Sequence, residues 1–70
     1  MAGGDVETFH EGGAWYNRVD GEHGAVGPFK TKADAIDAGR HEARRARREH
    51  VIRDENGLVD ERIAFGDETL

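Results

Sequence analysis

Polar and apolar residues follow two different periods along this chain, separated by glycine-bearing turns. Asp5 to His10 carries Val6, Thr8 and Phe9 in a short strand-like run, and Glu11-Gly12-Gly13 follows as a turn. Ala14 to Val19 is a second strand, with Trp15, Asn17 and Val19 on one face and Tyr16 and Arg18 on the other. The two runs are expected to form a hairpin. Asp20 to Gly24 is another turn, and Ala25 to Phe29 is a short third strand. Its Gly27 and Pro28 suit a sheet edge or strand end, since proline donates no ladder hydrogen bond.

The period then changes to that of a helix. Ile36, Gly39, Ala43 and Ala46 recur three or four residues apart, with His50 next in phase. Thr31 precedes this stretch as a cap, and Asp34 suits the positive end of the helix dipole. The helix is predicted from about Lys32 to Arg48 or Glu49, with a narrow small-residue stripe that lets it lie close to a sheet. Val51 to Arg53 and Leu58 to Phe65 are the last two strands, joined at Asp54-Glu55-Asn56-Gly57. A two-residue loop sets Ile52 opposite Glu61, and a four-residue loop sets it opposite Val59. Burial favours the second, with Val59, Ile63 and Phe65 on one face. Residues 1–4 and 67–70 read as disordered ends. The expectation is one α+β domain over residues 5–66: a small antiparallel sheet of four to five short strands with one helix packed across it, in the order ββ(β)αββ.

Composition limits what such a domain does. Of 70 residues, 36% are hydrophobic, and nine of those are Ala, so the core is small for a self-sufficient fold. With no Cys there is neither a disulfide nor a thiolate metal site. No apolar run reaches the length of a signal peptide or membrane span, and a cytoplasmic location is expected.

Three stretches together resemble a known family. They are Gly13-Ala14-Trp15-Tyr16-Asn17-Arg18-Val19, Phe29-Lys30-Thr31-Lys32-Ala33-Asp34-Ala35-Ile36-Asp37-Ala38, and Asp54 to Arg62 followed by Phe65-Gly66. Their order and spacing are similar to those of the small bacterial family catalogued as domain of unknown function 2188. The resemblance spans about Asp5 to Gly66. It departs in lacking a proline before the Gly-Trp turn and in carrying Gly39 where Ala is more usual. It implies an α+β fold and a stand-alone small protein, and it brings no catalytic or ligand residues with it.

Charge adds the remaining candidates. The net charge of −5 hides a basic segment: residues 30–53 hold eight Lys or Arg against four acids, and both flanks are acidic. Arg40, Arg44, Arg45, Arg47 and Arg48 are candidate interaction residues, with Arg40, Arg44, Arg47 and Arg48 on one broad helix face. Arginine pairs phosphate oxygens bidentately, which makes a nucleic-acid-binding module one reading. The plain alternative is a solvated face at the dipole end that favours cations, with Glu42–Arg45 and Arg45–Glu49 as helix-spaced pairs. A third is contact between this Arg face and the acidic hairpin or tail of a second copy. The acidic balance and the absence of an aromatic platform beside the arginines weigh against nucleic acid.

Tyr16 is a further candidate, either packing internally or forming part of a dimer seam. His10, His23, His41 and His50 show no metal-ligand spacing, and no metal or cofactor is expected. The chain has no Ser or Cys, and Thr31 is better explained as a cap. Asp60 and Glu61 point to opposite faces of a strand, so they cannot act on one atom. The expectation is a non-enzymatic protein with no small-molecule substrate, acting through protein–protein contact as a homodimer.

Overall fold

The computed structural model describes residues 5–20 and 24–65. The ends at 1–4 and 67–70, Gly66, His23 and the middle of the turn after Asp20 lie outside the described residues. The chain runs β1 (Val6–Glu11), β2 (Ala14–Val19), β3 (Val26–Phe29), α1 (Lys32–Ala46), β4 (Glu49–Arg53) and β5 (Val59–Ala64). This is the expected α+β order with the third strand present. The strands form one sheet in the order β3-β2-β1-β4-β5.

Three of the four pairings are antiparallel, and the central one, β1 with β4, is parallel, which corrects an all-antiparallel sheet. Direction follows from the connection. β1, β2 and β3 form a meander, so β3 runs parallel to β1. Helix α1 then carries the chain back across the sheet, and the next strand must start at the end where β3 started. β4 is therefore parallel to β1 and docks on its free side.

α1 begins and ends by specific capping. The Thr31 hydroxyl accepts a hydrogen bond from the Asp34 backbone N–H at 3.1 Å, a contact worth about 1 kcal/mol. Arg47 adopts the left-handed conformation (φ 57°, ψ 51°), and the Arg47 and Arg48 N–H groups donate back to the carbonyls of Arg44 and Ala43. That cap stops the helix at Ala46, short of Arg48 or Glu49. The buried stripe is Ala35, Gly39 and Ala43, four residues apart. Ile36 is half-buried, Ala46 is exposed, and His50 belongs to β4. The stripe is thus turned by one residue from the expected one at its N-terminal end.

Beneath that stripe lies a polar cluster. Thr8, Asn17 and His50, from three adjacent strands, are all buried. Thr8 Oγ1 donates to Asn17 Oδ1 at 2.5 Å, Asn17 Nδ2 donates to the Ala35 carbonyl at 2.9 Å, and Thr8 Oγ1 lies 2.8 Å from His50 Nε2. A hydroxyl has one proton, and here it goes to Asn17. His50 Nε2 therefore carries its own proton and donates to Thr8. The apolar core surrounds this cluster: Val6, Trp15, Ala35, Ala43, Val51 and Ile52.

Strand β5 departs from the expected register. Ile52 pairs with Glu61 and Arg53 with Val59, so Asp60 is an extra residue, a bulge. The turn before it is held by Asp54, whose Oδ1 accepts from the N–H groups of Asn56 and Leu58 at 2.8 and 3.0 Å, with Gly57 at φ +87°. The burial argument for setting Ile52 opposite Val59 presumed that the helix covers β5. Among the described residues α1 packs on β1 to β4 and not on β5, so no core lies there for Val59 to join.

Gly39 is where the helix meets the polar cluster. A Cβ there would stand 2.7 Å from His50 Nε2, 2.8 Å from Asn17 Oδ1 and 3.0 Å from Thr8 Oγ1. These atoms are held by one another and have no room to retreat. Gly39→Ala gains about 1 kcal/mol of helix propensity. It is nonetheless expected to destabilise the fold by about 2 kcal/mol net, by forcing the cluster apart. A lowered urea midpoint with an unchanged slope is the expected readout, and a raised midpoint would refute the close-contact account.

Candidate interaction surfaces

The arginines proposed from sequence divide between helix and cap. Arg40, Arg44 and Arg45 lie exposed on α1. Arg47 is the left-handed cap and Arg48 follows it, so neither continues the helix face on which they were expected to join Arg40 and Arg44. Two of the helix arginines are engaged by acids of the same helix. Arg45 pairs with Glu42 at 2.6 Å, and Arg40 lies 3.6 Å from Asp37. The expected Arg45–Glu49 pair is replaced: Glu49 accepts instead from Arg62, across the β4–β5 hairpin at 3.1 Å. Asp37, Ala38, Arg40, His41, Arg44 and Arg45 line a shallow depression on this outer face.

The second surface is the sheet face away from α1. Strand alternation puts Thr8, Asn17 and His50 toward the helix, and therefore Glu7, Phe9, Tyr16, Arg18, Val51 and Arg53 on the other side. Tyr16 stacks on its cross-strand partner Phe9, with ring centroids 5.7 Å apart, and both are half-buried. The Arg18 guanidinium lies 4.5 Å from the centre of the Phe9 ring. Tyr16 is thus an aromatic of the uncovered face.

Glu7 sits at the middle of that face, bridged at 2.6 Å by Arg18 on one side and by Arg53 on the other. Partial burial alone would raise its pKa. The hydrogen bonds and charges of the two guanidinium groups outweigh that effect and hold it below the usual carboxylate value. Sequence reasoning missed this cluster, because Glu7 and Arg53 meet only through the parallel β1–β4 pairing. Asp54 is also held low, by accepting backbone hydrogen bonds from Leu58 and then Asn56.

The three described histidines do not converge. His10 packs on Trp15 with centroids 4.8 Å apart, His41 is exposed on α1, and His50 is buried. Among the described residues no group of three or more His, Cys, Asp or Glu is arranged to hold a metal ion. The Thr8–His50 contact has the spacing of a nucleophile and its base, but its chemistry differs. His50 Nε2 is a donor there, the Thr8 proton is committed to Asn17, and both residues are fully buried beneath Gly39.

A two-layer α+β domain, with one helix on one side of a five-stranded mixed sheet and, among the described residues, no element on the other, is the class that this geometry defines. Residues 5–65 match the family described as an uncharacterized protein conserved in bacteria (DUF2188), and the chain belongs to that family. No curated protein and no solved structure matches it. No helix among the described residues is long and apolar enough to cross a membrane.

His50 gives this fold a definite pH dependence. Burial disfavours its charged form first, and the nearby Arg40 adds to the effect, so its pKa lies below the ordinary 6.5. Its Nδ1 is buried without a hydrogen-bond partner, leaving a second proton no acceptor. The unfolded chain binds that proton more readily than the folded one. Stability from this group is therefore full above the unfolded-state value and falls as pH drops through the folded one. Urea midpoints measured between pH 7.5 and 5.5 are expected to decline in the natural protein and to flatten in His50→Gln. Equal slopes in the two proteins would remove His50 as the cause.

Proposed function

We propose that this protein is a non-enzymatic cytoplasmic module that works through protein–protein contact and associates with itself. The observation that carries this reading is the small amount of apolar surface the single chain buries. Among the described residues the buried apolar ones are six, two of them alanines, while Val26 and Leu58 are each 65% exposed and Val59 is 46% exposed. A domain of this size gains stability from any further apolar burial, and association supplies it without lengthening the chain. The absence of Ser and Cys from the sequence, and the committed proton of Thr8, favour a binding role over catalysis.

The Arg-rich helix supports the alternative, a nucleic-acid-binding module, less well. Arg40 and Arg45 are each engaged by an acid one turn away, and the whole chain carries −5, which opposes approach to a phosphate backbone.

Sedimentation equilibrium across the micromolar range is expected to show a reversible dimer, and fluorescent DNA and RNA oligonucleotides at low salt are expected to show no shift. A monomer at high micromolar concentration would overturn self-association. Binding of the oligonucleotides that weakens steeply with salt and is lost in Arg40→Glu/Arg44→Glu would favour the alternative.

A further inference from the structure

We infer that the Asn56–Gly57 linkage, at the tip of the β4–β5 hairpin, modifies itself. Asn56 loses its side-chain amide as ammonia and becomes aspartate or isoaspartate, at a rate set by opening of the turn that Asp54 holds. The reaction needs no partner and is independent of self-association.

Its chemistry requires only these two residues and water. The Gly57 backbone nitrogen gives up its proton and attacks Asn56 Cγ. A nitrogen–carbon bond forms, the Cγ–Nδ2 bond breaks, and Nδ2 leaves with one further proton as ammonia. The product is a five-membered succinimide, and no electrons are gained or lost. Water then opens the ring at either carbonyl. Opening at Cγ leaves aspartate, and opening at the backbone carbonyl leaves isoaspartate, with the main chain running through the former side chain. Glycine in second place is what lets the ring close, since it brings no Cβ against the attacking nitrogen.

The chain holds two asparagines and no glutamine, and the fold treats the two asparagines oppositely. Asn17 is buried, its Oδ1 takes the Thr8 proton, its Nδ2 donates to the Ala35 carbonyl, and Arg18 follows it within β2. Asn56 and Gly57 are both exposed, and nothing stands within 4 Å of where a Gly57 Cβ would lie, so water reaches the linkage. Among the described residues no hydrogen bond engages the Asn56 side chain. The restraint is on the backbone instead. The Gly57 N–H donates to the Asp54 carbonyl at 3.1 Å, which occupies the attacking nitrogen while the turn is closed. Asp54 Oδ1 holds the turn shut by accepting from the Asn56 and Leu58 N–H groups. Attack therefore waits on local opening of the hairpin tip.

Either product adds a carboxylate beside Asp54 and Glu55, in the depression they share with Trp15 and Lys32, and takes the net charge one unit below −5. Isoaspartate also lengthens the main chain by one atom between the Asn56 Cα and the Gly57 nitrogen. The Asn56 and Leu58 N–H groups then no longer both fit Asp54 Oδ1, and the β4–β5 turn loosens.

Peptide-mapped mass spectrometry of the natural protein, held warm in mildly alkaline buffer for several weeks, tests this. The peptide containing Asn56 is expected to gain one mass unit, and the peptide containing Asn17 none. Isomerisation at Asp20–Gly21 leaves the mass unchanged and cannot imitate the result. Asp54→Ala is expected to speed the gain at least threefold when folded, with the two proteins converging in concentrated urea. Asn56→Ser should abolish it. No gain at Asn56, or a gain at Asn17 in the folded protein, would overturn the assignment. Equal rates in the natural protein and folded Asp54→Ala would overturn control by the turn. If Asp54→Ala fails to fold, the natural protein in buffer and in urea decides: a faster gain in urea supports that control, and equal rates refute it.

Discussion

The hydrogen bond from Asn17 Nδ2 to the Ala35 carbonyl ties helix to sheet, and much of the fold is arranged around it. Asn17 is held in place by Thr8, and Thr8 by His50, so three neighbouring strands supply the polar atoms and the helix supplies one carbonyl. A polar cluster at the centre of so small a core is costly unless its atoms are satisfied. Satisfying the Asn17 amide requires the helix backbone to come very close. Gly39 is the residue that permits that approach, which gives a physical reason for glycine at a position where helix propensity alone favours alanine. In exchange the cluster fixes helix position and orientation more closely than six apolar side chains would on their own. Hydrogen bonds are directional, and alanine contacts are not.

The same economy explains what the molecule leaves uncovered. A single helix of small side chains packs on β1 to β4 and meets β5 through the Lys32–Asp60 ion pair, and among the described residues no second layer lies on the far face of the sheet. That face is covered instead by its own side chains. The guanidinium groups of Arg18 and Arg53 close over Glu7, and the guanidinium of Arg18 also lies over the Phe9 ring. Val51 is buried there, with no helix or strand of the described residues above it. These pairs make the face chemically specific, with Glu7 fixed between two guanidinium groups and Phe9 stacked on Tyr16.

Much of this was legible in the sequence, and the parts that were not share a cause. Local signals placed the elements well. The Thr31 cap fixed the helix start, Gly12-Gly13 fixed the first hairpin, and alternation put Trp15 and Asn17 on one face and Tyr16 and Arg18 on the other. What escaped were facts of long-range pairing. The parallel β1–β4 contact, the Glu7–Arg53 bridge and the Thr8–His50 contact join residues more than forty positions apart. Asn17 in an otherwise apolar strand face was the one visible sign of the buried cluster, since a polar residue at a core position demands partners. The helix end was misjudged because Arg47 is not a residue type that announces a left-handed cap.

Charge segregation, the most conspicuous feature of the sequence, takes on a different meaning once the pairs are known. The basic segment and its acidic flanks are partly joined within the fold: Arg53 reaches Glu7 of the first hairpin, and Lys32 reaches Asp60 of the last at 2.8 Å while lying over Trp15. These exposed or half-exposed bridges add little stability singly. Their weight is in geometry. Asp60 is the bulge residue, and its turn toward Lys32 at the helix start accompanies the register that swings Val59 to the opposite face. An unbulged β5 would align Val59 with Glu61 and Ile63 on the helix side, where among the described residues α1 does not pack on β5. The bulge gives the acid a partner on one face and places an apolar side chain on the other, opposite Arg53 and on the same face as the Phe9–Tyr16 pair.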